Sequence, residues 1–296
     1  MSSSDSSGGA IANLGTAHQR RLLIPLTRTV ALAFAQNDLV QAMHDVQSQA
    51  EADVHDGREL EGMAAAFKVA NAAHATVTIQ ACREVCGGAG YLWDNRLALL
   101  NADTDVFTTF EGDKTVLLQL VTEGLLTNYQ DSFESMDSRA MVLFGARQFA
   151  GAVIERVIGG SVVQRLIAWG HIDRLLLDAL ARATEECEDA EAKGVLDALC
   201  DLFVHATVEA NAAWFLEHGR IFAKQSKDVT LAVGRLCADR PSHALTIVDA
   251  FGIPDGFVEA KVAAGLTRRS GVREAPPLDD RILHSIGQPR RDPTDP

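Results

Sequence analysis

Apolar residues in this chain recur at intervals of three and four, and no segment carries the repeated alternation of a sheet strand. From His18 to about Gln49, Leu23, Leu26, Val30, Phe34 and Leu39 predict a helix, with Pro25 in its first turns, where a missing N–H costs least. Asp53 to Gly57 breaks the pattern. From Arg58 to about Val85, the residues Leu60, Met63, Phe67, Ala70, His74, Val77 and Ala81 form an amphipathic stripe that must face another helix. Gly87 and Gly88 suit its end, because glycine enters the left-handed conformation that terminates helices without a Cβ clash.

Leu97 to Leu100 is a short apolar segment, and Asp103 to Phe110 alternates too poorly for more than a loop or one extended strand. Asp113 is placed to cap a helix from Lys114 to about Asn128. Polar residues from Asn128 to Ser138 mark a boundary. Beyond it, helical spacing covers Arg139 to Ile158, Ser161 to Trp169, His171 to Cys187, Lys193 to Glu217, Val229 to Cys237 and Ala244 to Ala250. The pattern predicts an all-α protein of antiparallel helical bundles. Its parts are a disordered Ser/Gly-rich lead at 1–10, helical domains at 11–130 and 131–266, and an extended Pro-rich tail at 267–296.

Composition narrows the class without naming it. A hydrophobic share of 47% indicates a globular chain, and a net charge of −13 argues against nucleic acid as a partner. No apolar run approaches the length of a membrane span. Five cysteines without finger-like spacing suggest free thiols in a reducing compartment; with no apolar signal core and no S-K-L at the C-terminus, the cytoplasm is the expected location. No metal site is expected, since Cys82 and Cys86 have no two further ligands nearby and no Glu-x-x-His pair occurs. His74, on an apolar helical face, reads as a core histidine. Arg20, Arg21 and Arg28 could meet phosphate but read as surface charges.

One stretch suggests chemistry. Glu111 sits between Thr108-Thr109-Phe110 and Gly112-Asp113, just before a helix start whose unpaired N–H groups would point toward it. A glutamate becomes a useful base when partly desolvated, and Phe107 and Phe110 could supply an apolar setting. The alternative is a charged turn residue that the helix dipole favours. Likewise the three glycines of CGGAGY, Gly87, Gly88 and Gly90, either turn the chain or let backbone approach a ligand closely.

The segments CGGAGY and TFEGDKTVLLQL resemble the C-terminal half of flavin-dependent acyl-CoA oxidases, relatives of the acyl-CoA dehydrogenases; HQRRLLIPL upstream and VDAFGIPD downstream extend the likeness over roughly residues 11 to 265. The resemblance implies that Glu111 is the catalytic base and that its backbone N–H holds the thioester carbonyl. It implies FAD as cofactor, held through Cys86, Gly87, Gly88, Gly90, Gly112 and Asp113, with the glycine turn packing on the adenine and pyrophosphate region, commonly of a neighbouring subunit. Tyr91, Phe110 and Glu111 would meet the acyl-CoA. Complete members add an N-terminal helical domain, a β domain and an arginine-rich helix, so the resemblance implies a homo- or hetero-oligomer with a chain supplying them, and little activity for this chain in isolation. Lys114 stands where the oxidases commonly carry Asn. The alternatives are a dehydrogenase subunit using an electron-transfer flavoprotein, a non-catalytic helical assembly module, and a remnant that folds without function.

Overall fold

Helix α1 runs over Asp5–Ser48 and α2 over Val54–Val85, and their antiparallel packing sets the frame for everything else. The computed structural model describes residues 5–48, 54–110, 112–134, 160–238, 241–258 and 260–262. The stretch expected to be helical at Arg139–Ile158, the tail from 267 and Glu111 itself lie outside them. After α2 the chain makes two short 3-10 turns, Gly87–Tyr91 and Trp93–Asn95, then α3 (Leu97–Asp105), a third 3-10 turn (Val106–Thr108) and α4 (Lys114–Glu134). Beyond the undescribed segment come α5 (Gly160–Glu186), α6 (Ala190–Ala210), α7 (Ala212–Glu217), α8 (Ala223–Ala238) and α9 (Pro241–Asp249). Among the described residues there is no strand, and the all-α reading holds.

Three details differ from the pattern. Helix α1 begins at Asp5 rather than near Ile11, because extending an existing helix costs far less than nucleating one. Pro25 therefore lies deep inside α1, where it cannot donate to the carbonyl one turn back; the Thr29 hydroxyl donates to the Pro25 carbonyl at 3.0 Å. Helix α5 passes through Gly170 without a break, since its buried face continues on both sides, at Ala168, Ile172, Leu176, Ala179 and Leu180. Finally, residues 103–108 are helical rather than looped or extended, continuing the helix that starts at Leu97, with the Thr104 hydroxyl donating to the Leu100 carbonyl at 2.8 Å.

The main core joins Val30, Ala31 and Ala35 of α1, Ala66, Phe67 and Ala70 of α2, Leu118 and Val121 of α4, the buried face of α5, and Leu199 and Phe203 of α6. It thus draws on both sides of the boundary near residue 130. Alanines at 65, 66 and 70 let α2 approach its neighbours closely, so dispersion contacts rather than bulk fill the space. A smaller cluster of Leu23, Leu202, Val233 and Cys237 ties α1 to α6 and α8. The arginines of α1 are engaged here. Arg20 pairs with Glu209 at 2.5 Å, Arg28 with Asp173 at 2.7 Å, and Arg21 with Glu84, so each binds α1 to another helix.

His74 is a core histidine, as its place in the stripe predicts. Its Nε2 lies 2.8 Å from the Thr29 hydroxyl, and the Thr78 hydroxyl is within 3.4 Å of the ring. Burial, and then the neighbouring Arg28 charge, lower its pKa from 6.5 to about 4. The folded protein therefore keeps His74 neutral while the unfolded chain takes up a proton near pH 6.5. This contribution to stability is fully present above about pH 6.5 and is lost as pH falls through 4. We expect urea midpoints to fall between pH 7 and pH 4, with up to roughly 3 kcal/mol traceable to this ring. A His74→Gln variant should show a shallower decline over the same interval, and an equally steep one would remove His74 as its source.

Candidate functional site around the loop before α4

The loop Thr109–Asp113 leads into α4 along the flank of α2. Asp113 caps the helix as expected, its Oδ1 accepting from the Thr115 N–H at 2.8 Å. That bond and its companions to the helix start hold the Asp113 carboxyl below the usual carboxylate range. Gly112 adopts φ 118°, a conformation side chains rarely take, and its carbonyl accepts from Lys68 Nζ at 2.6 Å. Lys68 is a residue that the pattern alone passes over. It is one cation at the margin of the α2 stripe, and its role depends on a partner 44 residues away.

Phe107 and Phe110 line a cavity of about 260 Å³ with Lys68, Asn71, Ala72 and Thr104. Next to it, a cavity of about 210 Å³ runs over Val69, Ala72, Thr76 and Val77 to Thr108 and Lys114. The loop is thus bordered by apolar space on the α2 side. Yet Phe107 and Phe110 remain 54% and 55% exposed, so the desolvation a glutamate base requires is not completed by the described residues. Lys114 reaches across to α5, its ammonium 5.3 Å from the Trp169 ring centroid, a cation–π contact.

The second group of expected residues lies elsewhere on α2. Cys86 is half-buried at the end of the helix and its N–H bonds the Cys82 carbonyl at 3.0 Å. Gly87 takes φ 57° and stops the helix, as the glycine pair predicts. Gly90 is buried, and a Cβ there would stand 2.0 Å from the Arg83 carbonyl oxygen, so this position requires glycine for packing. At Gly88 nothing lies within 4 Å of an added Cβ and φ is ordinary, so the fold gives no reason for glycine there. Tyr91 is exposed, with the Arg83 guanidinium 5.3 Å from its ring centroid. The backbone at Gly87 and Gly88 is thus open, so a ligand could approach it closely.

The two groups are not brought into contact. Lys68, under the loop, and Val85, at the turn, are separated by roughly 25 Å of α2 at 1.5 Å per residue. The five cysteines are all free thiols, and burial pushes the pKa of Cys82, Cys200 and Cys237 up. No described helix is long and apolar enough to cross a membrane.

Comparison with known proteins agrees with the helical fold. Residues 16–126 match the acyl-CoA oxidase C-alpha1 domain, and residues 159–264 match a second domain described as acyl-CoA oxidase. A putative acyl-coenzyme A oxidase 3.2, peroxisomal, of Arabidopsis thaliana is 29% identical over 286 residues, spanning 81% of this chain and 41% of that protein. The human peroxisomal acyl-coenzyme A oxidase 3 is 46% identical over 70 residues, 24% of this chain and 10% of that one. In structure, the chain is similar to acyl-CoA oxidase-1 of Caenorhabditis elegans, solved with FAD and ATP, at a TM-score of 0.72, 17% identity and coverage of 92% of this chain and 50% of that one. The chain spans half or less of the length of each.

The cytoplasmic expectation is corrected by these names, which point to the peroxisome. Compartment is set by short receptor-read addresses rather than by composition or cysteine count, so those features could not carry it. Through two adjacent domains that cover most of its length, the chain belongs to the acyl-CoA oxidase family.

Proposed function

We propose that this chain is the C-terminal helical part of a flavin-dependent acyl-CoA oxidase that converts acyl-CoA to trans-2-enoyl-CoA in fatty-acid β-oxidation, completed by a partner chain that supplies the N-terminal helical and β domains. The observation that carries the reading is the apolar surface around the candidate loop. Beside the loop Val106, Phe107 and Phe110 are all more than half exposed, and so, at the separate glycine turn, are Tyr91, Leu92 and Trp93. On α4, Val116 and Leu120 add an exposed i, i+4 pair. Exposed apolar residues concentrated at one site mark an interface. On α1 and α2 fewer stand out, chiefly Val40, Met43 and Val77, so the surface lies around the loop more than on the two long helices.

In this reading Glu111 takes the α-proton of the acyl-CoA, and the partner, by covering Phe107 and Phe110, dries the carboxylate and makes it basic. Lys68 and Asp113 fix the chain immediately after it, through the Gly112 carbonyl and the start of α4. Bound FAD would supply the acceptor for the hydride leaving the β-carbon; loss of the α-proton and the β-hydride together accounts for the new double bond. The glycine turn, some 25 Å along α2, serves a different part of the flavin or the site of a neighbouring subunit. A dehydrogenase subunit that passes its electrons to an electron-transfer flavoprotein is the alternative with the same proton and hydride chemistry. One observation favours a non-catalytic assembly module instead: Lys114, at a position commonly Asn in the oxidases, is engaged with Trp169.

The test is recovery of the chain with its partner, followed by an absorbance spectrum. Flavin absorbance that an acyl-CoA bleaches anaerobically is the expected result. A colourless protein recovered alone would overturn the reading.

A further inference from the structure

Asn95 is nearly fully buried, at 3% exposure, in a part of the molecule whose other residues are mostly open to solvent. A buried amide is costly unless both its ends are paired. Here both are, and with segments far apart in sequence. Asn95 Nδ2 donates to the Ala89 carbonyl within the glycine turn at 2.8 Å, and Asn95 Oδ1 accepts from the Val262 N–H at 2.9 Å. Beside it Lys261 pairs with Asp94. The Ala89 carbonyl also accepts from the Leu92 N–H at 3.2 Å, so the turn's own closing bond and the Asn95 bond meet at one oxygen. Arg96, the next residue, takes φ 55°, a left-handed conformation uncommon for a side-chain-bearing residue, and occupies the N-cap position of α3.

We infer that Asn95 is a positioning residue: it latches the glycine turn to residues 261–262, so that the order of the turn depends on a segment 167 residues later. On one side Gly90 seats the turn against the end of α2; on the other, Asn95 holds its carbonyl. Among side chains of this size only asparagine carries a donor nitrogen and an acceptor oxygen as two separate atoms on so short a stem; threonine offers one hydroxyl for both, and aspartic acid loses its donor when ionised. The consequence for ligand binding rests on the flavin reading above. A turn held at both ends presents Gly87 and Gly88 already ordered, and a ligand that contacts them does not have to order them on binding.

Hydrogen exchange on the full chain tests the latch without any cofactor. Asn95→Ala should speed exchange at least tenfold in peptides covering both 86–92 and 260–262, while α5 and α6 exchange as before. Val262→Pro removes the N–H at the far end and should open the turn by a similar factor, and the double variant should add little to either single one. Asn95→Asp keeps the acceptor and should protect 260–262 better than 86–92. Unchanged exchange at the turn, or additive effects in the double variant, would overturn the inference. In the complex with its completing chain, titration with FAD gives a readout that general stability does not move. Asn95→Ala should raise the Kd at least fivefold with an unchanged Tm, and an unchanged Kd with an opened turn would overturn the positioning role. Failure of the unaltered complex to bind FAD would instead sink the flavin reading and leave the exchange result standing.

Discussion

Glu111→Gln, placed in the chain and assembled with the completing partner, should slow anaerobic flavin reduction by acyl-CoA by about 10²–10⁴-fold, the usual contribution of a positioned general base. The substitution keeps the size of the side chain and its ability to accept a hydrogen bond, and it removes only the capacity to take a proton at neutral pH. Its position before α4 makes the control informative. The groups that hold the loop are the Lys68 ammonium on the Gly112 carbonyl and the Asp113 carboxylate on the helix start, and neither depends on the charge at 111. Thermal stability of the variant should therefore lie within about 0.5 kcal/mol of the unaltered chain, as for substitutions that break none of the contacts holding a fold. Substrate affinity should change little, since the base acts on the transition state more than on the bound thioester. A variant that reduces flavin at the full rate would remove Glu111 from the reaction and favour the assembly-module reading.

How much of this was legible in the sequence depends on the distance over which each feature is decided. The α2 stripe was readable because helical spacing is local: Phe67 and Ala70 are buried as predicted. The stripe misleads at Val77, which is 64% exposed, because its neighbour there is the rim of a cavity rather than another helix. Asp113 was readable as a cap because capping needs only the next two residues. By contrast, Arg20, Arg21 and Arg28 read as surface charges, while the fold uses them between helices, with Glu209, Glu84 and Asp173 as partners between 63 and 189 residues away. Asn95 and Lys68 escaped notice for the same reason. Residues 103–108 differ for another reason: their polar side chains mask the end of a helix in which Leu100 and Thr104 fall one turn apart, while Thr109 and Phe110 form a turn. The glycines of CGGAGY were read as one unit, and the structure separates them into three cases, which leads to the second large effect.

Gly90→Ala should destabilise the chain by about 3 kcal/mol or more, a large effect for one methyl group. A Cβ at this position would stand 2.0 Å from the Arg83 carbonyl oxygen, 2.8 Å from its carbon and 3.0 Å from its Cγ. The first two are backbone atoms in the last turn of α2 and cannot swing aside as a side chain would, so the turn must lift or the helix end must unwind. Either movement pulls Ala89 away from Asn95 and leaves a buried amide without its acceptor, which adds the cost of an unsatisfied group. Gly87→Ala meets no atom within 4 Å but must hold φ 57°, so it should cost about 1 kcal/mol, from backbone strain alone. Gly88→Ala meets neither obstacle and should leave the urea midpoint unchanged. The ordering Gly90 ≫ Gly87 > Gly88 in stability is thus set by the chain itself and needs no ligand. Flavin affinity in the completed complex should follow a different ordering, with Gly88→Ala weakening FAD at least tenfold despite its intact stability, because a methyl group there would occupy the space that a ligand's phosphates approach. If Gly88→Ala is silent in both measurements, the turn is only a turn, and the flavin contact must be made elsewhere in the assembly.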